Sequence, residues 1–464
     1  MQPVLVILVV GLSADLLGEH TPHLCKLAAS GGRRALRTVT PAVTCSVQAT
    51  LVTGRMPGQT GIVSNGWYDR DRAEVAFWKQ SNRLVDGEKL WERARRIDPA
   101  CTTAKLFWWY NMYSSADWSA TPRPQYPADG RKIPDHYAHP PALHDELDAR
   151  FGTFPLFSFW GPRADISSSR WIADATRYVI DTRAPTIALT YLPHLDYNLQ
   201  RLGPDLHHPT LQQDLRAVDA LCGELIEQAE RDDRDVVVVS EYGITPVDEA
   251  VHINRVLRGA GLIAVRDESG REQLDAGASA AFAVADHQLA HVYVADPSRR
   301  AEVRKLLEGV DGIERVLDAD EQAGIGLAHA RSGDLVAISL PNRWFSYYHW
   351  QDEDRAPDYA RTVDIHRKPG YDPVELFVDP ALRFPTLKVA SVLARKKLGF
   401  RALMDVISPS ETRLVKGSHG RPTDDPDAGP LVITSRADRL PAGGSVCATE
   451  FADLVLSHIF RTGP

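Results

Sequence analysis

Residues 4–10 read Val-Leu-Val-Ile-Leu-Val-Val, seven apolar positions with no polar interruption. A strand with one wet face alternates apolar and polar residues. An unbroken run rich in β-branched residues is a strand buried on both faces, as in a parallel sheet covered by helices on each side. The pattern recurs at 104–108, 186–192, 236–240 and 431–434. Helical periodicity fills the intervals, at 21–30, at 86–96 and from 208 onward, where Leu211, Leu215, Val218, Leu221, Leu225 and Ile226 form one stripe. The alternation predicts an α/β fold: a doubly wound, mainly parallel sheet sandwiched by helices.

Two regions break the rhythm. Residues 109–165, rich in Trp, Tyr, Pro and His, are expected to be irregular packed loop. Residues 277–400 carry strand-like runs (AFAVADHQLAHVYVAD and DLVAISLP) and then an aromatic stretch, which predicts an inserted α+β cap subdomain. The core is then expected over 1–276 and 401–464, closing with a helix near the C-terminus. A net charge of −8 with interspersed signs argues against a nucleic-acid partner. No apolar run is long enough to span a bilayer, so no membrane partner is expected. Five scattered cysteines without C-x-x-C spacing, and a start without a basic leader region, point to a reducing, cytoplasmic location.

Open parallel sheets bind ligands beyond the carboxyl ends of their strands. In PAVTCSVQATLVTG (41–54), a helix starting at Cys45 makes Thr44 its N-cap, with its hydroxyl at the positive end of the dipole. That position suits a capping residue and a nucleophile equally. Asp196 follows the strand run 186–192 and leads into a loop, with His194 and Gln200 close by; it suits a metal or an Asx-turn. Glu241 and Tyr242 leave a buried strand, where a carboxylate needs a partner. His419 sits in GSHG, which allows close backbone approach to a ligand. In the insertion, His287 and His291 share a face if they lie on a strand, as a ligand pair or as polar surface. Asp364, His366, Arg367, Lys368, Tyr371 and Asp372 form either a solvated loop or one that faces substrate, with Arg367 and Lys368 meeting phosphate.

The ordered segments TPHLCKLAASG (21–31), PAVTCSVQATLVTG (41–54), GIVSNGWYDR (61–70), HLDYNLQRLGP (194–204), SEYGI (240–244) and GSHG (417–420) resemble the alkaline phosphatase superfamily, in its nucleotide pyrophosphatase/phosphodiesterase branch. The resemblance implies Thr44 as a nucleophile forming a phospho-threonine, with two divalent metals, usually zinc, activating it. Asn65 falls in a landmark segment and is a candidate substrate contact. The ligand set departs from that pattern. Val10 stands where the resemblance implies an aspartate, Gln200 and Tyr242 where it implies histidines, and Glu241 where it implies an aspartate; Asp196 and His419 are retained. The expectation is one divalent metal, zinc, rather than two, held by Asp196, His419 and Glu241 or Gln200. The alternatives are ligands from the insertion (His287, His291, Asp364, His366) or a metal-free site. The expected function is a hydrolase of phosphate esters, phosphodiesters or phosphonates acting on a small phosphorylated molecule; a homodimer is compatible with it. A transferase, lyase or isomerase on the same scaffold, or a non-catalytic binding descendant, are the alternatives.

Overall fold

In the computed structural model, which describes residues 1–408 and 410–461, Val4–Val9 is the central strand of a nine-stranded sheet. Every one of its side chains is fully buried. Each such aliphatic side chain contributes about 1.5–3 kcal/mol by leaving water, so Ile7→Ala is expected to cost roughly 2–5 kcal/mol. Val4–Val9 pairs in parallel with Ile187–Leu192 on one side and Asp235–Val239 on the other. Thr103–Leu106 and Trp118–Pro122 continue the parallel set. Leu431–Thr434 runs antiparallel between Asp235–Val239 and Gly32–Arg37. Helices Pro22–Ser30, Ile166–Arg183, Pro209–Arg231 and Phe451–Phe460 pack on the sheet or on one another. The fold class is therefore the expected α/β sandwich.

The strands 4–9, 187–192 and 235–239 share one direction, so Asp196 and the Glu241–Tyr242 pair emerge at the same edge. A second, four-stranded sheet is built on the hairpin Ala281–Asp286 and Leu289–Val294, joined to Leu335–Ser339 and Ile313–Leu317. The Gln288 N–H donates to the His419 carbonyl at 2.9 Å, which ties this hairpin's tip to the GSHG segment.

Three local expectations are corrected. Residues 109–165 are not one irregular loop. They hold the strands Trp118–Pro122 and His136–His139 and the helix Pro141–Phe151. These strands lie at one end of the sheet and are short and polar, so they carry no apolar run. Thr44 is the first residue of the helix Thr44–Thr53 rather than its cap; Val43 is the N-cap, in extended conformation. Asp196 lies in the first turn of the helix His194–Leu202, not in a loop.

Candidate active site

The helix Thr44–Thr53 is buried along its whole length and ends at Gly54, which adopts φ 70° and donates to the Thr50 carbonyl. A buried helix cannot slide, so Thr44 is held at the sheet's carboxyl edge. Its Oγ1 lies 3.2 Å from the Tyr242 hydroxyl, which donates to Asp196 Oδ1 at 3.3 Å. Gln200, one turn along from Asp196, donates its amide to Asp196 Oδ2 at 2.6 Å. Burial pushes the Asp196 carboxyl up to about 7 against these two donors.

The Tyr242 ring stacks on His419, with centroids 3.7 Å apart and planes 3° apart. His419 Nδ1 is 2.9 Å from the Ala42 carbonyl, and Ala42 N–H donates to the Gly420 carbonyl at 2.9 Å. Those two contacts clamp GSHG beside the nucleophile segment. His287, in the tight turn of the second sheet's hairpin at φ 56°, packs its ring 3.8 Å from His419. Burial lowers both imidazoles, His287 to about 3, so both are neutral acceptors or donors rather than cations.

Glu241 is fully buried. Gln48, one helical turn after Thr44, donates to its Oε1 at 2.5 Å, and the Gln48 carbonyl accepts from the Trp109 backbone at 2.7 Å. Burial raises the Glu241 carboxyl, and its Oε2 has no partner among the described residues. Asn65 accepts from the Cys45 N–H at 2.9 Å and donates to Asp286 and Tyr371. Asp286 also accepts from Ser64 and from the Asn65 backbone.

The sequence missed Asp286 and Gln48 as site-builders, while Tyr371 belonged to the candidate loop 364–372. Only Asp286 left a signal: a lone carboxylate ending the apolar run 281–285.

Other candidates lie elsewhere. His194 bonds Asp214 at 2.9 Å and faces the long helix, away from Thr44. His291 is a strand residue held by the Val63 carbonyl and the Gly333 N–H; it does not share a strand face with the turn residue His287. Lys368 is buried and paired with Glu375 at 2.5 Å, and Arg367 is exposed, lying over Tyr126. Neither faces Thr44. Asp364 bonds Tyr126 and Lys132. His366 packs near Trp109, with centroids 6.3 Å apart, and burial lowers it to about 4.

Thr44, Asn65, Asp196, Tyr242, His287 and His419 line one cavity, walled by Trp78, Trp109, Trp160, Tyr191, Ile365 and Tyr371. It encloses about 30 Å³, room for only one or two waters. A phosphorylated ligand enters only if the aromatic wall moves.

The donors do not fit a two-metal centre. Val10 offers no ligand atom and is fully buried. Tyr242 stands between Thr44, Asp196 and His419, and Gln200 turns its amide to Asp196. Asp196, Glu241 and His419 do not converge on a common point. Among the described residues, the one group whose ligand atoms approach within 4.8 Å is Asp135, His136 and His144. It lies at one end of the main sheet, with His136 opening the outermost strand and His144 on the following helix Pro141–Phe151, where His144 is already held between Asp135 and Asp145.

A family model described as type I phosphodiesterase/nucleotide pyrophosphatase matches residues 4–372. The chain belongs to that family. Its members are metal-dependent enzymes, typically using zinc, within the alkaline phosphatase superfamily. One relative is an uncharacterized pyrophosphatase/phosphodiesterase of Schizosaccharomyces pombe, 26% identical over 258 residues. That match takes in 53% of this chain and 45% of the relative, so it spans less than half of the relative's length. Two solved structures share the fold. Phosphonoacetate hydrolase from Sinorhizobium meliloti, solved with phosphonoformate, gives a TM-score of 0.60 at 14% identity, covering 98% of this chain and 96% of its own. Murine ectonucleotide pyrophosphatase/phosphodiesterase 5, solved with AMP, gives 0.59 at 13% identity, covering 100% and 96%. The ordered segments that carry the resemblance thus lie on a scaffold shared with these two structures.

Proposed function

We propose that the chain is a hydrolase of phosphate esters, phosphodiesters or phosphonates on a small molecule, with Thr44 as nucleophile and the Tyr242–Asp196 pair doing the work of proton removal. The observation that carries this reading is the Thr44–Tyr242–Asp196 chain, at 3.2 and 3.3 Å. Thr44 Oγ bonds to phosphorus as the bond to the leaving group breaks, an alkoxide from an ester or, from a phosphonoacetate, the carboxylate-stabilised carbanion of the broken C–P bond, which takes a proton from solvent at carbon. The Thr44 proton passes to the Tyr242 oxygen while the Tyr242 proton passes to Asp196, and the alkoxide takes a proton from solvent. Water then cleaves the phospho-threonine, giving its proton to solvent, and the relay runs backwards to reprotonate Thr44. Thr44 at the first helical position places the developing anion at the positive end of the dipole. Because the donors do not fit two zinc ions, no step is routed through a metal. A cytoplasmic metabolite is the substrate in this reading.

The test is turnover of bis(p-nitrophenyl) phosphate, p-nitrophenyl phosphate and phosphonoacetate by wild type, Thr44→Ala and Tyr242→Phe. Activity that survives Thr44→Ala would falsify the proposal. A second reading, a phosphate-binding descendant without turnover, draws on the Tyr242–His419 stack and the small cavity. Binding of a phosphorylated ligand, with no turnover of any substrate, supports that one.

A further inference from the structure

We propose that the excursion 383–403 is a docking helix for the surface of an anionic lipid bilayer. In a chain of net charge −8, this segment carries Arg383, Lys388, Arg395, Lys396, Lys397 and Arg401 and no acidic residue. It also holds more than half of the large hydrophobic side chains exposed among the described residues: Phe384, Leu387, Leu393, Leu398, Phe400 and Leu403, from 46% to 75% exposed.

The geometry fits a helix lying flat on a surface. Pro385–Lys397 runs three turns with Pro at its start and three basic residues in its last turn. Its one buried side chain is Val392. The excursion is closed at its base by the Asp379 N–H donating to the Val406 carbonyl at 2.8 Å and by the Lys388–Asp405 pair at 3.0 Å. At 100° per residue, Leu387, Ala390, Ala394 and Leu398 fall on one side, with Arg395 and Lys397 at its two margins. Among the described residues, Arg383, Arg395, Lys396 and Lys397 make no ion pair. An apolar stripe bordered by lysine and arginine is the pattern of an interfacial helix, whose apolar side sinks into the acyl boundary while the bases meet phosphate.

A second copy of the chain is disfavoured as occupant, because two such basic faces repel. No described helix is long and apolar enough to cross a membrane, and an interfacial helix needs no crossing. The expectation of no membrane partner rested on spanning segments alone.

Co-sedimentation of the full chain with phosphatidylcholine vesicles, with and without phosphatidylserine, tests the proposal. Binding is expected only with phosphatidylserine and is expected to fall in high salt. Reversing Arg395, Lys396 and Lys397 to Glu is expected to weaken it on the order of a hundredfold, from about fivefold per basic residue. Leu398→Ser with Phe400→Ser is also expected to weaken it. All five positions are exposed or partly exposed, so circular dichroism should be unchanged. The proposal is overturned if wild type ignores phosphatidylserine vesicles, or if the triple reversal binds them as wild type does. It is equally overturned if sedimentation velocity shows a dimer lost in the Leu398/Phe400 variant while vesicles go unbound.

Discussion

The Tyr242 phenol lies flat on the His419 imidazole, 3.7 Å away, and its hydroxyl reaches both Thr44 and Asp196. One side chain thus fills the space between Thr44 and Asp196. Tyr242→Phe keeps the stack and removes the oxygen. It is expected to lower kcat/KM about 10²–10⁴-fold, the usual weight of general base catalysis, with the thermal midpoint little changed. Steady-state kinetics beside calorimetry separates this from a structural role, in which stability would fall with the rate.

The metal question has a constructive test. Val10→Asp, Gln200→His, Glu241→Asp and Tyr242→His together restore the donor types that zinc favours. The quadruple variant is expected to retain zinc through dialysis, read by elemental analysis, while wild type does not. Stoichiometric zinc at Thr44 in dialysed wild type would show that Tyr242 moves aside.

Gln48 serves two buried groups, Glu241 Oε1 and the Trp109 N–H. Gln48→Ala orphans both and is expected to destabilise by roughly 2–6 kcal/mol, at about 1–3 for each buried group. Glu241→Gln is expected to be nearly neutral, because burial already favours the uncharged carboxyl. Chemical denaturation of the two variants checks the contrast.

Asp196 and Asp372 are both pushed up from 3.8 to about 7, chiefly by burial. The native state therefore holds protons that the unfolded chain releases between those values. Each group's contribution is greatest below 3.8, falls as pH rises through the window, and is flat above about 7. The slope is about 1.4 kcal/mol per pH unit for each proton. Urea midpoints across the window should show the decline, and Asp372→Asn should reduce it. An unchanged slope in that variant counts against the burial argument.

Lys368 and Glu375 form a buried pair at 2.5 Å. Lys368→Met leaves the buried Glu375 carboxylate without its cation, with only the Trp160 indole N–H, among the described residues, still donating to it, and is expected to cost about 3–5 kcal/mol. Arg367→Ala, at an exposed site, should alter neither stability nor KM. A raised KM in Arg367→Ala would place that loop at the substrate after all.

The fold was legible because buried parallel strands write themselves as unbroken apolar runs, as 4–10 and 236–240 do. The site was half legible. Thr44, Asp196, Tyr242 and His419 follow strand ends in a recognisable order, and the structure brings them together. What stayed hidden depends on partners far apart in the chain. Asp286 draws its donors from Ser64, Asn65 and Tyr371. Lys368 looked like a phosphate contact although its partner Glu375 is only seven residues on, because spacing alone does not show that both are buried. Trp118–Pro122 and His136–His139 were missed because outer strands need no apolar run.

The most direct measurement is mass spectrometry of the Thr44 peptide from enzyme quenched during turnover of p-nitrophenyl phosphate in the presence of a chelator. A phosphoryl adduct on Thr44, formed at an undiminished rate and absent from Thr44→Ala, is the expected result. Turnover that stops with the chelator and returns with zinc, or turnover with no adduct on Thr44, would contradict the Thr44–Tyr242–Asp196 mechanism.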